Sequence, residues 1–444
     1  MMIRQGFNRF DQLYLRSIRG IAIALMAVLP FHAFLSTWMG TTVGPLWLWK
    51  SLRDIIIAVL ALLLIGWVFA RWRRVREIVR LPVSLLAISF TVLALLITVV
   101  NGVNQAQSLA GLAFGLRYIL LFCIMLMTTW VLGISQTDKA RSLQWLLGIT
   151  TFLVVFGLIQ VTVLPADFLA HFGYGADTIA SVSIVDDNVD ARRAFATLRG
   201  PNDYGAFMLI PFAIAIAMRK NSTSRFLLGG MASIGLILSS SRSAWLGALM
   251  IVGIKIVQTL YTRRTQKTMI AGVMTGGVII VAIVGYLAVT VPALRLAIFH
   301  SSPSDTHLTE GSTDKHWQAT SAGIDRLVAH PFGCGLGCAG PASFYGNDPK
   351  ISENYFVQIG EETGIIGMIT WISLFVVVMR YLYGYARSDE IALGLFLAGL
   401  GITIVGVFLH VWADDALSLL WWGLAGIVIG NQLAKKNKKR YHST

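Results

Sequence analysis

Residues 81–100 read "LPVSLLAISFTVLALLITVV", twenty residues without a charged side chain. A helix needs about 20 mostly apolar residues to cross the hydrocarbon core of a bilayer, so this stretch predicts a transmembrane helix. The ten residues before it, "RWRRVREIVR" at 71–80, contain five arginines. Basic residues accumulate on the cytoplasmic side of membrane proteins. The chain is therefore predicted to enter the membrane from the cytoplasm near residue 81.

The whole sequence shares the composition of this segment. It is 56% hydrophobic and 13% charged, and its mean hydropathy of +0.69 lies outside the range of soluble globular proteins. About 12 apolar windows are long enough to be spans. They lie at 19–39, 53–70, 81–100, 111–133, 143–164, 203–218, 226–241, 243–260, 269–290, 364–383, 390–411 and 416–432. The predicted fold class is an all-α, polytopic integral membrane protein in which residues 1–444 form one membrane domain.

The distribution of Lys and Arg predicts the orientation. With a cytoplasmic N-terminus, the cytoplasmic segments include 71–80, "RKNSTSR" at 219–225 and "KKNKKR" at 435–440, and roughly two thirds of the 36 basic residues lie inside. Both termini are then cytoplasmic. The net charge of +14 is mainly a topology signal and an affinity for anionic membrane lipids, and we expect no nucleic-acid partner.

Two long loops lie on the predicted extracytoplasmic face, at 165–202 before span 6 and at 291–363 before span 10. Large loops on one face indicate that binding or chemistry takes place there. In the second loop, "DKHWQATSAGIDRLVAHPF" predicts an amphipathic helix that ends at His330 and Pro331. Cys334 and Cys338 lie on the same face, where a disulfide is possible. Their spacing does not indicate a metal site.

Arginines close to the predicted spans are candidate binding groups. Arg117 lies six residues into the fourth span, either as a snorkelling or internally paired side chain or as an anion contact in an outward cavity. Arg242 lies in "LSSSRSAWLG" between the seventh and eighth windows. A helix N-terminus with an arginine and serine hydroxyls can hold a phosphate, although the serines can also serve only as a helix cap.

A second cationic group precedes the sixth span. Arg192, Arg193 and Arg199 stand before Pro201 and Asn202, where the first long loop re-enters the membrane. Three arginines on the face that usually has few of them suggest an anionic ligand. The alternative is that they anchor the loop to lipid headgroups.

The segment "ISENYFVQIGEETGIIG" at 351–367 brings three carboxylates next to an apolar window. Read as a helix, it places Asn354, Gln358 and Glu362 in one row, and Glu353 begins a second row beside it. Such a polar stripe suits a cavity that binds sugar hydroxyls. The alternative is a solvated helix start with Glu residues at the favourable end of the helix dipole.

Four motifs, "RRAFATLRGPNDYGAFM", "SSSRSAWLG", "AHPFGCGLG" and "ENYFVQIGEETGIIG", occur in the order and approximate spacing of motifs in a known family. They resemble the superfamily of O-antigen ligases and O-antigen polymerases, which are bacterial membrane glycosyltransferases. The likeness covers residues 110 to 385, and the first three spans share only the topology. It implies transfer of a glycan from undecaprenyl pyrophosphate to an acceptor hydroxyl, on a lipid A core or another repeat unit. This would take place at the outer face of the cytoplasmic membrane, with no metal and no other cofactor.

The resemblance also implies roles for single residues. Arg193 and Arg242 match the family's arginines and would hold the pyrophosphate, whose negative charge grows as the glycosidic bond breaks. Further candidate substrate contacts are Arg192, Arg199, Asn202, Arg117, Asn354, Gln358, Glu362 and His330.

The last motif departs from the family at one position. Counting back from Gly367 and Gly364, Glu353 stands where ligases have a catalytic histidine. A carboxylate can also act as a general base on the acceptor hydroxyl. Two alternatives are that this protein uses no base at this position, or that His330 takes over the role.

The class of protein has alternatives as well. A ligase and a polymerase share these motifs, and the missing histidine leaves room for a polymerase or for a ligase with another acceptor. The main alternative to an enzyme is a transporter or flippase of lipid-linked oligosaccharides. A membrane scaffold is the third possibility, which the clustered arginines disfavour.

Overall fold

The computed structural model describes residues 7–101, 104–185, 188–262 and 312–442. It is 80% helical. Within the described residues, nine helices are long and apolar enough to cross a membrane. The prediction of an all-α polytopic membrane protein is confirmed at this level. The predicted window at 269–290 lies outside the described residues.

The helices of the first half occupy the residues up to 162. They are α1 (Arg9–Val28), α2 (His32–Thr42), α3 (Leu46–Ala70), α4 (Trp72–Val79), α5 (Pro82–Asn101), α6 (Gln105–Leu132) and α7 (Gln136–Thr162). The later helices follow a two-stranded hairpin of β1 (Ile184–Val185) and β2 (Asn188–Arg192). They are α8 (Pro201–Ala217), α9 (Thr223–Ser239), α10 (Arg242–Thr262), α11 (Ser312–Ala329), α12 (Tyr355–Tyr385), α13 (Glu390–Phe408) and α14 (Asp415–His442).

Two of the predicted windows correspond to interrupted helices. The first window covers α1 and α2, which a short 3₁₀ segment at Leu29–Phe31 separates. Pro30 lies in this segment and has no backbone N–H to continue the α-helical ladder. The window at 364–383 is the second part of α12, since Gly364 has a non-helical backbone with φ of 69°.

Close helix packing places α14 at the centre of the bundle beside α6. At Gly426 an added Cβ would lie 2.6 Å from the carbonyl oxygen of Phe122, so only a glycine permits this approach. Small residues that let backbones come together are typical of helix contacts in membranes. Side chains of α3 and α5 such as Leu62 and Val99 are exposed, as expected for helices that face lipid.

An aromatic cluster fixes the start of α12 against the core. Trp371, Trp412, Trp421 and Trp422 are fully buried and pack against one another. The indole of Trp371 donates a hydrogen bond to Oη of Tyr118 at 2.8 Å. That Oη lies 2.8 Å from Oη of Tyr355, the first residue of α12. These bonds satisfy polar atoms that burial would otherwise penalise.

The two ends of the bundle differ. We call the end that carries residues 163–200 and 330–354 the long-loop end, and the end that carries the turns near residues 134, 220 and 388 the short-loop end. At the long-loop end, Asn101 Nδ2 donates to the carbonyl of Gly333 at 2.6 Å, and Thr197 Oγ1 donates to the carbonyl of Pro30 at 2.7 Å. At the short-loop end, Lys139 Nζ lies 2.5 Å from Asp389 Oδ2. These contacts join α5 to the loop at Gly333 and residue 197 to the break between α1 and α2 at the long-loop end, and α7 to the start of α13 at the short-loop end.

Candidate functional site

Arg193 joins the first long loop to the break between α9 and α10. It lies just after β2, and its backbone N–H donates to the carbonyl of Ser183 at 2.8 Å. Its Nε donates to the carbonyl of Ser239 at 3.0 Å, and its Nη2 donates to Oδ1 of Asn202 at 2.8 Å. One guanidinium thus holds the start of α8 and the end of α9 together.

The break predicted around Arg242 is present. Ser240 has φ of 49°, a left-handed conformation that ends α9, and α10 begins at Arg242. The backbone N–H of Ser241 donates to Oγ of Ser239 at 3.1 Å, and the hydroxyl oxygens of Ser241 and Ser243 lie 3.3 Å apart. The two arginine motifs of the sequence therefore meet at one helix N-terminus, which is favourable for an anion.

Close packing of α10 on α13 brings the N-terminus of α10 near Glu353. An added Cβ at Gly247 would lie 2.7 Å from the carbonyl oxygen of Gly401. Arg242 lies about 7.5 Å along the axis from Gly247, and Val407 about 9 Å from Gly401, both towards the long-loop end. Asn354 Nδ2 donates to the carbonyl of Val407 at 2.9 Å. The long-loop ends of α10 and α13 and the start of α12 are therefore neighbours. Arg193, Arg242 and residues 353–354 lie there.

Glu353 lies in the turn before α12 with φ of 49°. Its Oε2 is 3.3 Å from Nδ1 of His316 on α11, and its side chain is 27% exposed. Burial raises the pKa of Glu353, but the contact with His316 and the charges of His316 and His410 outweigh it, so that the pKa is lowered overall. Glu353 is therefore ionised near neutral pH and able to accept a proton.

His410 interacts electrostatically with both Glu353 and Arg199. Burial lowers the pKa of His410, the charge of Glu353 raises it, and the charge of Arg199 lowers it further. Arg199 is itself exposed. Nδ1 of His410 is buried and has no hydrogen-bond partner among the described residues. This atom is a polar group at the site that a ligand can satisfy.

The helical interpretation of residues 353 and 354 is wrong. Asn354 is the N-cap of α12, since its Oδ1 accepts hydrogen bonds from the backbone N–H groups of Phe356 at 2.9 Å and Val357 at 3.1 Å. Asparagine favours this position because its side chain replaces the missing helical acceptor. Glu353 consequently stands outside the helix and does not continue the polar stripe.

Glu361 and Glu362 are buried and hold neighbouring segments. Arg326 Nε donates to Oε2 of Glu361 at 2.8 Å, and the hydroxyl of Ser352 donates to Oε1 of the same carboxylate. Oε1 of Glu362 accepts from the backbone N–H of Gly337 at 2.8 Å, and its Oε2 accepts from Gln358 Nε2 at 3.4 Å. These groups support the loop at 331–338, in which Cys334 and Cys338 form a disulfide.

Arg117 belongs to a buried cluster of charged side chains. Its Nη2 forms an ion pair with Asp415 and donates to the carbonyl of Ala413 at 2.7 Å, and its Nη1 lies 3.5 Å from Asp54. Arg53 is 2.8 Å from Asp54 and 2.6 Å from Asp415. Two cations and two carboxylates thus join α3 and α6 to α14, the arrangement expected for charges within spans. The geometry favours the internally paired interpretation of Arg117.

Asp414 lies between this cluster and the site. Burial and the charge of Asp415 raise the pKa of Asp414 to about 6, although its Oδ1 accepts a hydrogen bond from Leu417 N–H at 2.8 Å. The positions of His316, His410, Asp414 and Asp415 at the site were not predicted from the sequence. The available signal was the pair of aspartates and the histidine in "LHVWADD", next to a predicted window, since charges at a span are usually paired or functional.

Arg192 and His330, two of the predicted substrate contacts, have other hydrogen-bond partners than Arg193 and Glu353. Arg192 donates from Nη1 to the carbonyl of Leu164 at 2.7 Å, at the end of α7. His330 is exposed at the end of α11, where its carbonyl accepts from Gly333 N–H at 2.9 Å. Across the described ranges, no group of three or more His, Cys, Asp or Glu side chains is arranged to hold a metal ion.

The fold and the site define a multi-pass membrane protein with a charged site at one end of its helical bundle. The family model described as O-antigen ligase matches residues 227–372. The resemblance to the O-antigen ligase and polymerase superfamily is thereby confirmed, and the match supports a glycosyltransferase of the ligase or polymerase type. The matched range contains Arg242, α11 and Glu353, whereas Arg193 precedes it. A search of curated proteins finds no match.

Proposed function

We propose that the protein transfers a glycan from undecaprenyl pyrophosphate to an acceptor hydroxyl at the long-loop end, on the extracytoplasmic face of the cytoplasmic membrane. The observation that carries this proposal is the junction of Arg193 with Ser239, beside the first turn of α10. It places a fixed guanidinium beside the N-terminal turn of α10. Such a group suits a pyrophosphate better than a neutral solute.

The arginines act on the leaving group. The bond between the anomeric carbon and the pyrophosphate oxygen breaks, and its electron pair remains on the pyrophosphate. Arg193 and Arg242 stabilise this growing charge, and Arg199 adds an exposed cation on the same segment. Because Arg193 is already held by Asn202 and Ser239, little reorganisation is needed during the reaction.

Glu353 acts on the acceptor. The acceptor oxygen forms the new bond to the anomeric carbon, and its proton passes to the carboxylate of Glu353. The lowered pKa keeps this carboxylate ionised, although it also makes it a weaker base than one with a pKa near 7. His316 and His410 are positioning residues. They stabilise the ionised form of Glu353 and shield it from part of the solvent.

No metal enters this mechanism, since the guanidinium groups and the helix N-terminus supply the positive charge. Residues Gln358 and Glu362 support the loop at 331–338 and contribute to the shape of the site through it. Ligase and polymerase chemistry are the same at these groups. They differ only in the acceptor that reaches Glu353.

The test is a transfer assay with the purified full-length protein in nanodiscs. It uses undecaprenyl-pyrophosphate-linked glycan with either a lipid A core or a second donor as acceptor, and it measures both glycan product and released undecaprenyl pyrophosphate. We expect equal amounts of the two products in the wild-type protein. Which acceptor works then separates a ligase from a polymerase.

Variants connect the activity to the site. Arg193→Ala and Arg242→Ala are expected to lose transfer while remaining folded in the membrane, and Arg387→Ala is the control, because Arg387 is exposed at the short-loop end. Movement of intact donor across vesicles without product would favour the flippase alternative. Full transfer by both variants would contradict the pyrophosphate assignment.

A further inference from the structure

A cavity of about 390 Å³ lies between α1, α6, α7 and α14, away from the site described above. Its volume is within the range of small-molecule sites. Along α14 its wall runs from Leu420 to Asn431, a distance of about 16 Å at the rise of an α-helix. The cavity is thus elongated along the helix axes and reaches from the short-loop end towards the middle of the membrane.

The wall of the cavity is apolar over most of this length. The side chains of the deeper part are Ile23, Met26, Met125, Leu420, Leu424 and Ile427. Water has few hydrogen-bond partners in such a space, so an apolar group is the favoured occupant. A hydrocarbon chain has the shape and the polarity that this part requires.

Charged groups surround the short-loop end of the cavity. Arg19, Lys139 and Arg141 line it together with one carboxylate, Asp138. Lys139 is paired with Asp389 outside the cavity, and Asp138 caps α7 through Ser135. Arg19, Lys139 and Arg141 carry three positive charges against the two negative charges of Asp138 and Asp389, so one net positive charge remains at this rim. A basic pocket between transmembrane helices is typical of an anionic lipid headgroup.

The cavity opens between α1 and α7. Ile23 is 46% exposed, and Arg141 and Ser142 are also exposed. Both helices are long and apolar enough to cross a membrane, and an opening between two such helices faces the bilayer. A lipid in the leaflet at the short-loop end can enter sideways, with its chain between α1 and α14 and its phosphate at the basic rim.

We infer that this cavity binds one glycerophospholipid with an anionic headgroup, such as phosphatidylglycerol. The apolar length, the basic rim and the opening to the bilayer each match one part of that molecule. The inference does not depend on the proposed transferase activity, because the cavity and the glycan site lie towards opposite ends of the bundle. The bound lipid would fill the space between α1 and α14 and stabilise the folded protein by mass action.

Native mass spectrometry of the purified full-length protein tests this inference. Phosphatidylglycerol and phosphatidylcholine of the same chain length are titrated into delipidated protein, and the bound fraction is counted. We expect one tightly retained phosphatidylglycerol and at least fivefold weaker retention of phosphatidylcholine. Ala27→Phe fills the cavity from α1, and Ala24→Phe is its control because Ala24 is exposed on the same helix.

A second pair of variants tests the rim without altering the packing. Arg141→Glu is expected to weaken phosphatidylglycerol binding about tenfold, since it removes one favourable charge and adds an unfavourable one. Arg73→Glu is the matched control, as Arg73 is exposed on α4 and does not line the cavity. Phosphatidylglycerol should also raise the unfolding temperature of the wild-type protein more than that of Arg141→Glu.

Three results would overturn the inference. The first is retention of phosphatidylglycerol by Arg141→Glu at the wild-type level. The second is absence of any headgroup preference in the wild-type protein. The third is a polyprenyl phosphate that displaces the glycerophospholipid at equal concentration, which would assign the cavity to a different lipid. If Ala27→Phe does not fold, the comparison of Arg141→Glu with Arg73→Glu still decides.

Discussion

Nδ1 of His316 lies 3.3 Å from Oε2 of Glu353 and joins α11 to the turn that precedes α12. The two residues are 37 positions apart in the sequence, and the loop that contains the disulfide lies between them. Their contact brings the helix of the second long loop into the site. It also helps to lower the pKa of Glu353, the carboxylate proposed to act on the acceptor.

Replacing His316 should change the pH dependence of transfer. Burial alone raises the pKa of Glu353, and the contact with His316 is the main influence that lowers it. In His316→Gln the pKa should therefore rise, and Glu353 should become protonated at a higher pH. Because only the ionised form accepts a proton, the acid limb of kcat/KM should move to higher pH. A pH series on wild-type and variant protein measures this shift.

His171→Gln serves as the control for that experiment. His171 is also at the long-loop end, but it is exposed and contacts only the carbonyl of Phe168 in the described structure. The acid limb of kcat/KM for His171→Gln should coincide with that of the wild-type protein. An unchanged limb in His316→Gln would exclude His316 as the residue that controls Glu353.

Glu353 itself should be required for rapid transfer. Glu353→Gln keeps the size of the side chain and removes its basicity, and a loss of about 10²–10⁴-fold in kcat is expected for a general base. Glu353→His should retain part of the activity, since an imidazole is also a base. Initial rates with saturating donor measure both variants. Wild-type rates in Glu353→Gln would mean that the reaction needs no base at this position.

Arg193 should not tolerate lysine. Its guanidinium donates to Ser239 and Asn202 in different directions, and one ammonium group cannot reproduce this planar fork. Arg193→Lys should therefore lower kcat about 10²-fold, the order found for the loss of one fixed donor at a developing charge. Arg192→Lys is the comparison, because the Arg192 side chain donates to the carbonyl of Leu164 at the end of α7 and not to the junction of α8 and α9, so the loss of activity should be much smaller. Equal rates in the two variants would argue against a special role of Arg193.

Much of the fold could be predicted from the sequence because it depends on composition. A segment such as 81–100 has no favourable surroundings other than a bilayer or a protein core, and α5 occupies Pro82–Asn101. The ends of other helices differ more, since the windows detect apolar residues and not backbone hydrogen bonds. Thus α12 begins at Tyr355, nine residues before its predicted window, because Asn354 caps it.

The site was less accessible to sequence reasoning. Motif order placed Arg193, Arg242 and Glu353 on one face, but it gave no partner for Glu353. His316 and His410 come from α11 and from the turn before α14, and only tertiary packing brings them near. The short hairpin around residues 184–192 was also not predicted, since two strands of this length leave little periodicity to detect.

Asp414 should make stability depend on pH. Its pKa in the folded protein is about 6, above the ordinary value of 3.8, so the folded state binds a proton that the unfolded state releases between these two values. The stabilising contribution is complete below pH 3.8 and is lost as the pH rises through 6. Asp414→Asn should therefore unfold at a higher temperature than the wild-type protein at pH 7.5, and the difference should disappear near pH 4.

Asparagine is suitable for this comparison because its side-chain oxygen can still accept from Leu417 N–H. Asp348→Asn is the control, since the side chain of Asp348 is 80% exposed in the second long loop. Thermal unfolding in detergent at several pH values gives both differences. A pH-independent difference for Asp414→Asn would contradict the raised pKa.

The kink of α12 should not tolerate an added methyl group. Gly364 has φ of 69°, and an added Cβ would lie 2.5 Å from the backbone carbon of Phe332. Gly364→Ala would thus strain the backbone by about 1–3 kcal/mol and also push away the loop at 331–338. Gly384 lies in the same helix with no atom within 4 Å of an added Cβ, so Gly384→Ala should be neutral or stabilising by up to about 1 kcal/mol. Unfolding temperatures measured side by side distinguish the two. If Gly364→Ala were as stable as Gly384→Ala, the loop at 331–338 would not depend on Gly364. The segment with the disulfide would then be held against α5 and α6 by its other contacts, such as the hydrogen bond from Asn101 to Gly333.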